Sequence, residues 1–492
     1  MSNLRHPFRW LIAAAMLGLA VQPVLLPHAG WVQVVIGAAA GAQGYALAAL
    51  CTLLVRPLLA RRLGDGPAIP TPRPALTAAL GAAIIGVATL TAHAGQLAAS
   101  ARTGMPPPTL LADALAVAGA VLAGTAVIGL GIGIGIAVRA GFRMLVWLLR
   151  RVPRRVAALV LAPVLVLTGS TAASADSSPG AHLTGTQLVS TRPAGTSSLN
   201  STLGVEGEDF LRDRPKASTI GAVTGRPAQM PVRVYVGRDA ATTPQARAAL
   251  AVRELDRTGG FRRAAVLISV PTGSGWVNPA AASALEYLYG GDIATVVVQY
   301  AAAPSWVAYL RGGEGVQAST RALTDAIRAR LNRIPAGQRP RLLAYGESLG
   351  AWGGLRAYDG VDGGDGGDGG GVGQGLGMAR RTDGALWAGI PGSLPDRSPR
   401  GTRTLVHSDD PVPAWSLPLM LHESSAWPAR WLPVVSFWQA TGDVISALKV
   451  PSGFGHRYGS ELVDAWRPLI STAAVPGAAP LDRLNAVRAA IG

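Results

Sequence analysis

Five stretches of this chain, residues 10–27, 31–55, 75–99, 109–138 and 156–173, run on almost without a charged side chain. Each is near the ~20 apolar residues that carry a helix across a bilayer. That pattern commits the first third of the chain to a membrane. Composition agrees, with a mean hydropathy of +0.30 and only 15% of residues charged. Beyond Asp176 the mixture becomes ordinary. The expected organisation is an α-helical membrane domain over residues 1–175 with about five transmembrane helices, a Ser/Thr/Gly/Pro-rich linker over 176–230, and a folded domain over 231–492.

The net charge of +16 invites a nucleic-acid partner, but the arginines are placed for a membrane. Arg5 and Arg9 precede the first span, and Arg56, Arg61, Arg62 and Arg73 lie between the second and third. Arg139, Arg143, Arg150, Arg151, Arg154 and Arg155 lie between the fourth and fifth, whereas the alternate loops carry only Arg102. The positive-inside rule then puts the N-terminus in the cytoplasm and the C-terminal domain outside it. The fifth span has a second reading as an internal signal peptide, because Ala173-Ser-Ala175 follows its apolar run. Cleavage would release the domain and retention would tether it; four preceding spans favour retention. Cys51, the single cysteine, falls inside the second span and is read as lipid-facing, so no disulfide is expected. His93 and Asp113 are read as polar groups of helix packing and the membrane interface. Gly129–Gly135, with glycine at every second position, is read as a close helix contact.

In the C-terminal domain strand and helix patterns alternate. Val232–Val236, Ala264–Val270, Ile293–Tyr300, Arg341–Tyr345, Ala385–Ile390, Thr402–Val406 and Pro433–Trp438 read as strands. Pro244–Arg257, Ala280–Tyr289, Gly315–Arg333 and Leu349–Tyr358 read as helices. This alternation predicts an α/β fold with a doubly wound, mostly parallel sheet. Two segments interrupt it. Asp359–Gly377 is a Gly/Asp tract read as a surface insertion, and Pro411–Trp431, rich in Trp and Pro, is either a cap over the site or a packed connection.

The chemistry concentrates at Gly346-Glu347-Ser348-Leu349-Gly350, a G-x-S-x-G sequence between a strand and a helix. Glycines there permit a tight turn that lifts the serine hydroxyl off the sheet, with N–H groups of the helix start aimed at developing negative charge. A serine needs a base and an orienting carboxylate to become a nucleophile. His182, His407, His422 and His456 lie beyond the membrane region, and only His456 occupies a glycine-flanked loop after the last expected strand. In the order Ser…Asp…His two acids qualify: Asp443, which is favoured, and Asp410. Glu347 is expected to face away from Ser348 in a structural ion pair. The oxyanion hole is assigned to the Leu349 N–H together with Thr272 or Gly273, in the loop Pro271–Trp276. No metal-ligand pattern and no nucleotide fingerprint is present, so no cofactor is expected.

Pro271-Thr-Gly-Ser-Gly-Trp276, Gly291-Asp292 through Gln299-Tyr300, Ser305-Trp306, Tyr345–Gly350, Ser408–Val412 and Gly455-His-Arg-Tyr458 together resemble an actinobacterial membrane-anchored alpha/beta-hydrolase family. The likeness covers essentially the whole chain. It implies an alpha/beta-hydrolase-like fold and serine-hydrolase chemistry in an extracytoplasmic domain. A second histidine expected near Phe454 is missing, so no role is carried over to it. The Gly442-Asp443…His456 spacing is similar to that of cutinases, which is why Asp443 leads. The expected activity is that of an esterase or lipase on an ester, such as a cell-envelope lipid, with membrane lipids as surroundings and no nucleic-acid partner. An envelope acyltransferase would share the acyl-enzyme; an inactive scaffold or transporter is the remaining alternative.

Overall fold

The computed structural model describes residues 7–63, 74–151, 189–190, 202–302, 313–358, 376–392, 400–470 and 478–492. The chain divides into two compact units. The first takes in Met1–Leu19, Gln33–Thr89 and Ala114–Gly185; the second takes in Ala20–Val32, Leu90–Asp113 and Thr186–Gly492. A single cut near residue 175 therefore does not separate them.

Four helices dominate the N-terminal third: Pro7–Ala20, Gly30–Leu63, Pro74–Thr103 and Leu110–Arg151. Three contain segments long and apolar enough to cross a membrane, Gly30–Val55, Ala75–Thr103 and Leu110–Met144. The expected first span is shorter than the sequence suggests. Its helix has 14 residues, about 21 Å of rise against a hydrocarbon core of about 30 Å. Pro23 and Pro27 stop it from continuing, since neither can donate to a helix. The expected fifth span, its Ala173-Ser-Ala175 site and His182 lie outside the described residues. In the first unit small residues make close approaches, Gly18 on Ala88 and Gly124 on Ala38. The stripe Gly129–Gly135 does not: a Cβ on any of its four glycines would meet nothing within 4 Å among the described residues. Cys51 is exposed on the helix Gly30–Leu63.

The second unit is built on a seven-stranded sheet. Its strands are β1 (Val189–Ser190), β2 (Val232–Val236), β3 (Ala265–Val270), β4 (Ile293–Val298), β5 (Arg341–Glu347), β6 (Gly384–Ala388) and β7 (Thr402–Leu405). The spatial order is β1-β2-β4-β3-β5-β6-β7, with β2 to β7 parallel and only the edge strand β1 antiparallel. Parallel strands covered on both faces need apolar residues pointing both ways. In β3, Val266, Ile268 and Val270 enter one core with Leu255 and Ile327, while Ala265 and Leu267 enter the other with Leu285 and Trp466. The chain steps from β3 out to β4, then returns across β3 to β5. The crevice at the carboxyl ends of β3 and β5 is thus where the winding reverses, the place where such sheets carry their sites.

Within the expected linker 176–230, Gly204–Arg212 and Ala217–Thr224 are helices whose Phe210 and Ile220 are buried, so this part packs on the folded domain. Arg233 of β2 secures the first of them. It binds Glu286 through Nε at 2.7 Å and Nη2 at 2.8 Å and donates from Nη1 to the Phe210 carbonyl, with both charged side chains fully buried. The supposed last strand Pro433–Trp438 instead enters the helix Val435–Ser446. Periodicity does not separate a short apolar run of that length into strand or helix. Residues 359–375 of the Gly/Asp tract, and Ser305-Trp306, lie outside the described residues.

Ala20–Val32 and Leu90–Asp113 are integral to the second unit. Gln96 holds both backbone groups of His28, accepting from its N–H at 2.8 Å and donating to its carbonyl at 2.7 Å. Arg102 donates to the Val24 and Leu25 carbonyls, and His93 Nδ1 meets Asp113 Oδ2 at 2.8 Å. Leu25 and Leu26 pack on Ala447, Val450 and Phe454 of the C-terminal domain. A fragment Thr186–Gly492 exposes this patch, so it is expected to bind a hydrophobic dye and self-associate, while the full chain in detergent does neither. A monomeric, dye-silent fragment with a cooperative thermal transition would contradict that.

Candidate active site

Ser348 sits at φ 55°, ψ −124°, between the end of β5 and the helix Leu349–Leu355. A non-glycine residue in that region is strained and persists only where its surroundings hold it. Here the Ser348 N–H donates to the Ala388 carbonyl at the end of β6, 3.0 Å away. The flanking glycines are dictated by space. A Cβ on Gly346 would lie 2.5 Å from the Gly350 carbonyl, and one on Gly350 would lie 2.3 Å from the Val270 carbonyl. The elbow is therefore wedged against the end of β3, and the serine has no freedom to relax into an ordinary turn.

Gly389 follows Ala388 and has φ +55°. A Cβ there would fall 2.3 Å from His456 Cε1 and 3.0 Å from Asp410 Oδ2. The residue after the one that anchors Ser348 thus touches both the imidazole and its carboxylate. His456 Nδ1 is 2.8 Å from Asp410 Oδ2. Its Nε2 is buried and has no hydrogen-bond partner among the described residues. Asp410 is saturated on its other sides: Tyr458 OH donates to Oδ2 at 2.6 Å and the Val412 N–H to Oδ1 at 2.9 Å.

Asp443, the favoured acid, is elsewhere. It lies on the helix Val435–Ser446, fully buried, with Oδ1 accepting from the Leu26 N–H and His28 Nε2 and Oδ2 from the Leu25 N–H. Because residues 433–438 are no strand, the 13-residue spacing to His456 does not describe a loop that folds back onto it. Asp410, at the end of the turn after β7, is the carboxylate that meets His456 Nδ1.

His407 is spoken for. Nδ1 donates to the Gly455 carbonyl at 2.9 Å and Nε2 to Glu461 at 2.9 Å. Donating at both nitrogens requires the imidazolium, and although burial lowers its pKa, Glu461 and the carbonyl raise it further, for a net rise. Asp409 accepts the Gly455 N–H, so both backbone groups just before His456 are clamped. His422 is exposed and borders a cavity of ≈ 420 Å³ with Trp352, Arg356, Pro391 and Leu419. Trp352 donates its N–H to the Ser348 carbonyl, which places the cavity one helical turn from the elbow. The Trp/Pro segment is a packed connection: Trp415 donates to Thr441, and Leu419 and Trp427 pack with Ala440.

Of the expected oxyanion donors, Leu349 opens its helix, so its N–H has no intrahelical acceptor. The Thr272 N–H does not qualify; it closes a turn onto the Trp276 carbonyl at 2.9 Å. Gly273 remains in a loop whose preceding carbonyls, Val270 and Pro271, abut Gly350. Glu347 faces away from Ser348 as expected, but into hydrogen bonds instead of an ion pair: Asn278 donates at 2.8 Å and Tyr345 OH at 2.7 Å. Burial raises its pKa against those donors and against His456. Tyr458, marked in the sequence only as part of the Gly455–Tyr458 motif and without a role, is a further site residue, its phenol kept protonated by burial and Asp410.

Residues 232–416 and 398–479 match the alpha/beta-hydrolase family, and residues 21–183 match the N-terminus of an alpha/beta-hydrolase family. The chain belongs to the alpha/beta-hydrolase family. No curated protein and no solved structure matches it. The N-terminal match begins at Val21, so the family region takes in the Leu25–His28 loop that holds Asp443.

In this hydrolase-family chain burial depresses the His456 pKa, but Asp410 and then Glu347 more than reverse it, leaving the pKa above 6.5. The ion pair with Asp410 therefore adds stability fully below pH 6.5 that is lost as pH rises through the folded value. A proton NMR titration of the His456 ring should give a pKa above 6.5, and Asp410→Asn should move it downward, because burial then meets less opposition. A titration unmoved by Asp410→Asn would break the assignment of this pair.

Proposed function

We propose that this protein is a membrane-anchored serine hydrolase acting on esters from the extracytoplasmic side, with Ser348 as nucleophile, His456 as base and Asp410 as orienting acid. One observation carries the reading: a strained serine is pinned by its N–H to Ala388, and the following Gly389 packs against an imidazole whose Nδ1 is held by a carboxylate while Nε2 has no partner among the described residues. Ser348 Oγ attacks the acyl carbonyl and its proton passes to His456 Nε2. Asp410 stabilises the imidazolium so formed. The carbonyl oxygen becomes an oxyanion against the Leu349 N–H, at the start of a helix. Collapse breaks the ester C–O bond, and His456 returns the proton to the leaving alcohol. Water, deprotonated by His456, then attacks the acyl-enzyme and restores Ser348.

The membrane side of the proposal rests on charge and packing. The Arg-poor loops around residues 27–30 and 100–109 belong to the same unit as the hydrolase sheet. Their one arginine, Arg102, is engaged with the Val24 and Leu25 carbonyls. Arg-poor loops face away from the cytoplasm, which supports the same side for the site. A tether at the bilayer suits an ester of the envelope lipids, already concentrated there. The ≈ 420 Å³ cavity beside the elbow offers the half-buried Trp352 to an acyl chain and Arg356 to a polar head.

A fluorophosphonate probe should label the purified full chain, and Ser348→Ala should lose both labelling and hydrolysis of a p-nitrophenyl ester. Asp410→Asn should lower kcat by about 10³- to 10⁴-fold, since the imidazole loses the partner that fixes its tautomer. Equal labelling of Ser348→Ala would remove the nucleophile.

A further inference from the structure

The loop joining the first two helices reaches the neighbourhood of His456, and it does so through a buried polar contact that the reaction itself does not use. His28 Nε2 is 2.9 Å from Asp443 Oδ1, with no exposure on either side chain. The Leu25 and Leu26 N–H groups complete the carboxylate's partners at 3.2 and 3.1 Å. Three donors on one buried carboxylate make a costly arrangement to break, because an unpaired buried charge is strongly disfavoured. His28 is itself pinned to the helix Pro74–Thr103 by Gln96.

Asp443 lies on the helix Val435–Ser446, and the next residue, Ala447, accepts the His456 N–H through its carbonyl at 3.1 Å. Leu26 reaches further. A Cβ on Gly455 would stand 3.0 Å from Leu26 Cδ1, and equally 3.0 Å from the Ala447 carbonyl and Val450 Cγ2. Gly455 has φ +54° and is the hinge from which His456 departs. The membrane-derived loop is thus one wall of the hinge, and Asp443 holds that wall in register.

We propose that His28 and Asp443 are positioning residues for His456: their contact locks the loop Leu25–His28 against the 447–455 segment and sets the reach of the imidazole. This rests on the serine-hydrolase reading above. It makes the loop Leu25–His28 a working part of the catalytic unit. A misplacement of the base of about 1 Å is enough to cost about 100-fold in rate.

The test uses the full chain in detergent with a p-nitrophenyl ester, active sites being counted from fluorophosphonate uptake. Asp443→Asn and His28→Ala are each expected to lower kcat per counted site by about ten- to a hundredfold, with KM little changed and the acid limb of the pH profile unmoved. His28→Gln keeps an N–H donor for Asp443 and should restore most of kcat. The double variant His28→Ala with Asp443→Asn should be no worse than the poorer single variant, as for two residues acting through one contact. Fewer counted sites with unchanged kcat per site would assign the pair a structural role only and overturn the proposal, as would losses that multiply in the double variant. Wild-type labelling in Ser348→Ala would instead strike the hydrolase reading, independently of this pair.

Discussion

Two missing side chains govern the site. With no Cβ at Gly346 or Gly350, the turn after β5 closes to within contact of the Val270 carbonyl. That closure forces Ser348 to φ 55° and directs its N–H to Ala388. Gly389 comes next, and its own lack of a Cβ lets His456 and Asp410 approach the same point. Imidazole and carboxylate approach the strand end that anchors Ser348 because three glycines allow backbone to pack where side chains would stand. The parallel sheet supplies the frame: β3, β5 and β6 lie side by side in register, so their carboxyl ends deliver the Pro271 loop, the elbow and Gly389 to one crevice.

Around that crevice the protein buries several carboxylates, each matched by donors. Asp410 takes His456, Tyr458 and the Val412 N–H. Glu347 takes Asn278 and Tyr345, and Asp443 takes His28 and two backbone groups. Buried acids left bare would be destabilising, so each of these networks also fixes the geometry of its surroundings. Asn278 links two of them, donating to Glu347 and to the Tyr458 carbonyl. Against burial, Asp410 and then Glu347 favour the imidazolium of His456.

Much of this was legible in the residues. The alternating apolar segments marked β2 to β7, and the glycine-flanked serine and histidine stood out by local context. The carboxylate that meets His456 did not, because it depended on whether Pro433–Trp438 was strand or helix, and short apolar runs carry no period that decides it. As a helix it turns Asp443 toward the membrane-derived loop and leaves Asp410 to His456. Composition likewise does not choose between Thr272 and Gly273, because the Thr272 N–H is consumed inside its own turn, a local closure that only the fold reveals. The helices within 204–224 are short, nine and eight residues, and depend on burying Phe210 and Ile220, so the surrounding Ser/Thr/Gly/Pro-rich composition masks them. The first apolar run looked long enough to span because hydropathy counts residues past the prolines that end the helix.

Family membership and the elbow geometry meet in one structural question, the position of the reacting atoms once an inhibitor is bound. A crystal or cryo-EM structure of the full chain after reaction with a fluorophosphonate would answer it. The account requires phosphorus bonded to Ser348 Oγ, a phosphoryl oxygen on the Leu349 N–H, and His456 Nε2 within hydrogen-bonding distance of the adduct. Phosphorus on another residue, or a phosphoryl oxygen turned away from Leu349 with His456 remote, would contradict it.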